Sequence, residues 1–323
     1  MNGGKLNLYI NHVIRSLESS IDFVNRDYHS KGGMFDILRY IRRIDIVFLN
    51  WPEEIPERRG GYLQAIFYII LIYYLRLRKI TICWTLHNKE SHISRKKGIK
   101  KLIRKLTAKK ADFIITHARE GVDIAKEMLG EKSNIQFFHH PVLPAINLEP
   151  SDKKVYDLLL WGMIARYKGI DQFLNFVKNE KLDNLNILIA GKISGEKYRD
   201  EILSYRSDHI HIIDKFISFE ELEKYLPQTK AVLFTYMEYS ILSSGALMDT
   251  LRYAPLIIGP DYGAFKDLKD EQLIITYKNF DHLKTILGTR LDAKPDIERI
   301  QEFIQDNSWE NFGKEAINFI NSK

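Results

Sequence analysis

Cysteine is nearly absent from this chain of 323 residues: the one present, Cys83, stands in an apolar run. Without a partner it builds neither a disulfide framework nor a cysteine metal site, which fits a reducing compartment. Long hydrophobic runs are missing too. The greasiest stretch, residues 62–75 (YLQAIFYIILIYYL), is shorter than the roughly 20 apolar residues that a spanning helix needs. It is expected to be a buried helix. Residues 1–20 mix charged and apolar side chains without the apolar centre of a signal peptide. No tandem repeat and no low-complexity tract occurs, and with 45% hydrophobic residues a packed core is expected.

Charge is unevenly distributed. Residues 1–150 hold 25 Lys and Arg against 15 Asp and Glu, a net +10, whereas residues 151–323 hold 23 against 27, a net −4. A basic first half joined to a mildly acidic second half suggests two domains with different partners.

Short β-branched runs alternate with segments of helical period. The expected strands are 21–24, 44–49, 80–86, 113–116 and 135–138, then 156–161, 186–190, 210–213, 231–235, 256–258 and 273–275. Helical patterns at 171–177, 219–226 and 280–287 separate members of the second series. Strand–helix alternation means parallel sheets with crossover helices. Residues 141–154, with three prolines and a charged tail, read as the linker between the two sheets. The expected division is residues 1–145, 146–307, and a final helical segment 308–323.

In open parallel sheets, ligands bind beyond the carboxyl ends of the strands. Five places qualify. After 156–161 comes Gly162-Met163-Ile164-Ala165-Arg166-Tyr167-Lys168-Gly169. Gly162 permits a tight turn, and Arg166 and Lys168 are two cations suited to a diphosphate. A second place, Ser243-Ser244-Gly245, opens a helix whose free amides and dipole favour an anion. Asp249 lies about one turn inside it, where a carboxylate suits ribose hydroxyls. An ordinary serine N-cap is the competing reading. Third, His87 ends the run Trp84-Thr85-Leu86 and titrates near neutrality, with His92 close by. Fourth, Asn50-Trp51-Pro52-Glu53 offers a ring that stacks on a sugar and a carboxylate that binds hydroxyls. Fifth, residues 95–110 (RKKGIKKLIRKLTAKK) hold nine Lys and Arg and no acid, with Ile99, Leu102, Ile103 and Leu106 on one helical face. Basic amphipathic helices favour anionic surfaces.

Together these motifs resemble the GT-B glycosyltransferases, in particular the family 4-like retaining enzymes of bacterial capsule and exopolysaccharide assembly. The resemblance covers nearly the whole chain. It rests on Gly162–Asp171, Ser243–Pro255 with Ile257-Ile258, Trp84–Asn88, Asn50–Glu53 and Ser308-Trp309-Glu310. It implies an α/β fold of two Rossmann-like domains facing across a cleft, with a C-terminal helix crossing back to the first. It implies that Arg166 and Lys168 hold the donor diphosphate, with Gly162, Glu238, Ser243, Ser244, Gly245 and Asp249 around the donor. Phe216 and Ile217 would meet the base, and Gly3 and Gly4 would form a donor loop. His87 would touch the donor sugar, and Trp51, Glu53 and His92 would lie on the acceptor side. Departures exist: Ala165 stands where many relatives carry Arg, Asn50 where they carry His, and Ile241 at the spacing of a usual glutamate.

The expected activity is transfer of a hexose from a nucleoside-diphosphate sugar to a hydroxyl of a lipid-linked glycan, on the inner face of the membrane. No cofactor is expected beyond the sugar nucleotide as substrate. No Asp-x-Asp occurs, so cationic side chains rather than a metal are expected to meet the leaving charge. An anionic membrane contacted through 95–110 is the expected partner, and nucleic acid is not. The rival expectations are a nucleotide-sugar epimerase or hydrolase of the same fold, and a non-catalytic basic binding protein.

Overall fold

The computed structural model describes residues 8–26, 30–89, 96–130, 134–151, 153–238 and 241–322. Two compact units emerge: residues 142–306 form one, and residues 1–141 with 307–323 form the other.

The first unit is built on a four-stranded parallel sheet of β1 (Ile46–Asn50), β2 (Thr81–Leu86), β3 (Phe113–Thr116) and β4 (Ile135–Phe137), in that order. Its helices are α1 (Leu8–Leu17), α2 (Gly61–Leu77), α3 (Lys97–Lys110) and α4 (Arg119–Leu129). Expected strand 21–24 is not one: residues 21–23 have no regular structure. Ile21 and Phe23 instead pack on Val13, Leu17 and Phe138. Two side chains suffice to anchor a loop there but not to extend a ladder.

The second unit shows why its strands form. Its sheet contains β5 (Tyr156–Trp161), β6 (Ile187–Ala190), β7 (Ile210–Ile213), β8 (Thr229–Leu233), β9 (Leu256–Pro260) and β10 (Ile275–Tyr277). Leu159, Trp161, Leu188, Val232 and Ile257 enter one apolar layer, while their neighbours Leu158, Leu160, Ile187, Ala231 and Ile258 enter another. Side chains alternate across a strand, so nearly unbroken apolar runs are what a parallel sheet covered on both faces requires. Each such leucine or isoleucine buried contributes about 2–3 kcal/mol. The helices are α5 (Ile170–Asn179), α6 (Glu196–Leu203), α7 (Phe219–Tyr225), α8 (Gly245–Leu251), α9 (Gly263–Asp270), α10 (Phe280–Thr289) and α11 (Ile297–Asp306). Ser218 and Glu221 form a reciprocal capping box at the start of α7.

The strand order β10-β9-β8-β5-β6-β7 is all parallel. From β5 the chain winds outward through β6 and β7. It then returns to β8 on the other side and winds outward through β9 and β10. The switch point of the sheet therefore lies between β5 and β8, where open α/β sheets take their ligands.

Residues 142–148 do not behave as a free linker. Val142 is buried in the second unit's core, Ile146 N–H donates to the Arg252 carbonyl, and Arg252 Nε donates to Pro144 O. The last helix, α12 (Trp309–Asn321), is capped by Ser308 and packs on α1. A Cβ on Gly313 would overlap the Ser16 carbonyl, so glycine lets the two helices approach closely.

Candidate functional site

At the switch point, the loops after β5 and β8 are stitched together. Gly162 turns the chain with φ 88°, and the single-turn 3-10 segment Arg166–Lys168 ends at Gly169, φ 65°, which opens α5. A Cβ on Gly169 would overlap the Thr235 carbonyl. Thr235 Oγ1 donates to the Lys168 carbonyl (2.6 Å), and Met237 N–H donates to the Tyr167 carbonyl (3.0 Å). These bonds fix Lys168 against the β8 loop.

Lys168 is buried, only 5% exposed. Its ammonium donates to the Trp161 carbonyl (3.1 Å) and lies 5.4 Å from the centroid of Tyr236. Burial pulls its pKa down to about 8, because the apolar surroundings penalise the charged form. Tyr236 OH meets Ser244 Oγ at 2.8 Å, and Ser244 Oγ also accepts from Leu247 N–H at 3.3 Å. A Cβ on Gly162 would lie 3.1 Å from Lys168 Nζ and 3.8 Å from Ala246 Cβ. Gly162, Lys168, Tyr236, Ser244 and the start of α8 thus converge. The neighbouring Ser243 Oγ is buried with no hydrogen-bond partner, a group whose desolvation something must offset. Gly245 is exposed, and a Cβ there would touch nothing within 4 Å.

Arg166 does not join this group, contrary to its expected partnership with Lys168. Its side chain is 60% exposed, paired with Glu201 (2.5 Å) and Asp171 (3.6 Å), and its guanidinium lies over the Tyr198 ring. The reason is geometric. Residues two apart on a 3-10 turn of three residues are separated by about 240°, so the two cations leave the loop in different directions. Ile217 is likewise corrected: it is buried in the core, leaving Phe216, 78% exposed, as the open aromatic after β7. Glu238 is exposed, and the adjoining Tyr239 and Ser240 fall outside the described residues. Asp249 is half-buried, and burial raises its carboxyl to about 6 against the opposing charge of Arg252.

The first unit gathers a second cluster at its strand ends. His87 follows β2, stacks on Trp51 (centroids 4.0 Å) and meets Asn50 Oδ1 through Nε2 (2.8 Å). His117 follows β3 and His140 lies three residues beyond β4. Tyr9 from α1 sits among them, 4.8 Å from His87 and 5.6 Å from both His117 and His140 between ring centroids. Trp309, which opens α12, lies 5.6 Å from Tyr9. His117 Nδ1 donates to the Phe138 carbonyl (3.1 Å), so Nε2 of the neutral ring accepts from Tyr9 OH (2.7 Å). Burial lowers His117 to about 3 and His140 to about 4, and holds His87 well below its ordinary value, with His117 and His140 adding to the effect. These rings are neutral at physiological pH and act as hydrogen-bonding groups.

Glu53 does not open to a ligand as expected. It is buried, its Oε2 has no partner, and burial raises its pKa. Trp51, at φ 49°, directs the turn that carries it inward. Gly3, Gly4 and His92 fall outside the described residues. Tyr9, His117, His140 and Tyr236 join these clusters from outside the five motifs of the sequence. Each but Tyr9 lies within a few residues of a strand's carboxyl end, the signal that would have found them.

No protein-family model matches this sequence, and no curated protein matches it. Solved structures do match. Sucrose-phosphate synthase from Thermosynechococcus elongatus is 12% identical, over 98% of this chain and 93% of that one, with TM-score 0.68. Anabaena HepE in complex with UDP is 10% identical over 90% and 82%, TM-score 0.66. TarM is 13% identical over 90% of this chain, TM-score 0.65, and this chain spans 57% of TarM's length. These neighbours are GT-B glycosyltransferases, and at such identities the likeness is one of fold: an α/β chain with two parallel sheets.

Proposed function

We propose that this chain is a glycosyltransferase using a nucleoside-diphosphate sugar as donor. The observation that carries the reading is Lys168: a buried ammonium at the switch point of the six-stranded sheet, beside the open turn at Gly162 and the start of α8. A cation held in apolar surroundings is costly on its own and gains most from an anion brought to it. A departing nucleoside diphosphate is such an anion. HepE, one of the fold neighbours, has been captured with UDP and with UDP-glucose.

In this reading Lys168 and the backbone around Gly162 and Ser244 stabilise the diphosphate as the glycosidic C–O bond breaks. Asp249 takes the ribose hydroxyls and Phe216 stacks on the base. In the first unit His87, neutral and held by Asn50, is available to hydrogen-bond a sugar hydroxyl. The acceptor hydroxyl oxygen forms the new bond to the anomeric carbon, and its proton passes to the leaving phosphate. Front-side attack with retention, a hexose as the group transferred, a lipid-linked glycan of surface polysaccharide as acceptor and independence of a divalent metal complete the proposal.

The test is a thermal-shift screen with UDP, GDP, ADP and their sugars, followed by product analysis. Binding at a hundredfold excess over Kd adds about 2.7 kcal/mol of apparent stability. Silence toward every nucleoside diphosphate would reject the reading, and donor turnover without acceptor would move it to an epimerase or hydrolase.

A further inference from the structure

The longest apolar stretch, expected to be a buried helix, is buried on one side only. Gln64, Ala65, Tyr68, Leu71, Ile72 and Leu75 of α2 face the first unit's interior. Tyr62, Leu63, Ile66, Ile70, Tyr73 and Leu77 face outward, with exposures from 52% at Tyr73 to 80% at Leu77. At 3.6 residues per turn these six fall within about 100° of one another and form a stripe about 22 Å long. No charged residue interrupts α2 before Arg76. Single exposed apolar side chains are ordinary on a soluble surface, but a continuous stripe marks an interaction site. Leu102 of the adjoining α3 is exposed as well, at 53%.

The adjoining helix supplies charge of one sign. Lys97, Lys101, Lys105 and Lys109 are exposed and succeed one another every four residues, so they form one row along α3. Like charges at that spacing destabilise a helix, and these four have no carboxylate partner among the described residues. The row contrasts with Lys100, which is buried and paired with Glu54 and Glu57. Helices α2 and α3 run side by side: Lys96 Nζ lies 4.4 Å from the Tyr62 ring centroid, and Lys110 Nζ 4.6 Å from that of Tyr73. An apolar stripe bounded by tyrosines and edged by a lysine row is therefore one surface.

We infer that this surface of α2 and α3 docks on a lipid bilayer bearing anionic headgroups, the stripe entering the headgroup–acyl boundary and the lysine row meeting phosphates. A bilayer offers both chemistries side by side, whereas a nucleic acid offers phosphate with no hydrocarbon to cover Leu63, Ile66 and Ile70. Among the described residues no helix is long and apolar enough to cross a membrane, so the contact is made lying on the surface. The inference stands apart from the transferase reading, because its test reads lipid binding and not turnover.

The test is co-sedimentation of the full chain with vesicles of phosphatidylcholine alone and of an equimolar mixture with phosphatidylglycerol. Binding to the mixed vesicles only, weakening with salt, is expected. The pair Ile66→Glu and Ile70→Glu should abolish it. The triple change of Lys101, Lys105 and Lys109 to Gln should weaken it at least about tenfold, since each lysine near an anionic surface is worth about fivefold. All five positions are exposed, so melting should be unchanged. Should the glutamate pair unfold, Leu63→Gln with Leu77→Gln serves in its place. Failure to bind mixed vesicles, equal binding to both kinds, or binding untouched by the stripe changes would overturn the inference. So would light scattering that shows self-association abolished by those changes, or retention on duplex DNA without vesicle binding.

Discussion

Replacing Lys168 with methionine keeps the length of the side chain and removes its charge, and the burial of this residue fixes what should follow. Its folded pKa of about 8 against an ordinary 10.5 corresponds to about 3 kcal/mol spent keeping the ammonium charged at pH 7. The sign follows from proton counts. Between about pH 8 and 10.5 the unfolded chain holds a proton that the folded one has released, so wild-type stability rises with pH across that window. Without ligand, Lys168→Met should therefore be more stable than wild type at pH 7. The gap should narrow by about 2–3 kcal/mol by pH 10, as measured by urea denaturation at each pH. Binding should respond in the opposite sense. A diphosphate holds Lys168 protonated, so above about pH 8 its Kd in the wild type should rise roughly tenfold per pH unit. The variant should bind about 2–4 kcal/mol more weakly at pH 7 and lack this dependence, as read by titration calorimetry. A pH-independent stability gap, or a nucleoside diphosphate bound equally well by both proteins, would refute the reasoning.

Arg166→Ala should change nucleoside-diphosphate affinity no more than about threefold and stability by less than about 1 kcal/mol, because its charge is engaged with Glu201 and Asp171 on the surface; a loss as large as that of Lys168→Met would mean that the arginine swings to the ligand. Gly169→Ala places a side chain at φ 65° against the Thr235 carbonyl and should cost about 2–4 kcal/mol, seen as a lowered Tm; an unchanged Tm would show that the two loops are not locked. Asp249, raised to about 6 by burial, opposes folding once it ionises, so Asp249→Asn should be relatively more stable at pH 7.5 than at pH 4.5, by at most about 3 kcal/mol, and a difference that does not vary with pH would count against its burial.

Much of the architecture could be read in the chain because both faces of a parallel sheet are covered. Residues 156–161, 187–190 and 231–233 are almost wholly apolar, and their shortness and spacing between helical segments fit strands buried on both faces. Hydropathy could not reveal the state of α2. A helix greasy all round its circumference carries no period to distinguish Leu71, which faces the core, from Ile70, which faces solvent. Nor does adjacency in sequence tell direction: Arg166 and Lys168 are two residues apart, and one is on the surface while the other is inside. The cluster of Tyr9, His87, His117 and His140 joins residues up to 131 positions apart, held together by a topology that local pattern does not encode. Ser244 illustrates a different ambiguity: it is the helix cap of the competing reading and, through Tyr236, a neighbour of Lys168 at once.

The packing of α12 on α1 sets an order on events during synthesis. Val13, Leu17, Ile115 and Phe138 share their apolar cluster with Phe312 and Ala316, which are made about 175 residues after β4, roughly 9 to 35 seconds later at ordinary elongation rates. Until then the nascent first sheet bears an uncovered greasy groove while the whole second sheet is being made. A stop codon ahead of Trp309 would remove Phe312 and Ala316 and leave that groove uncovered, so the first sheet relies for its apolar cover on a helix made only after the second sheet.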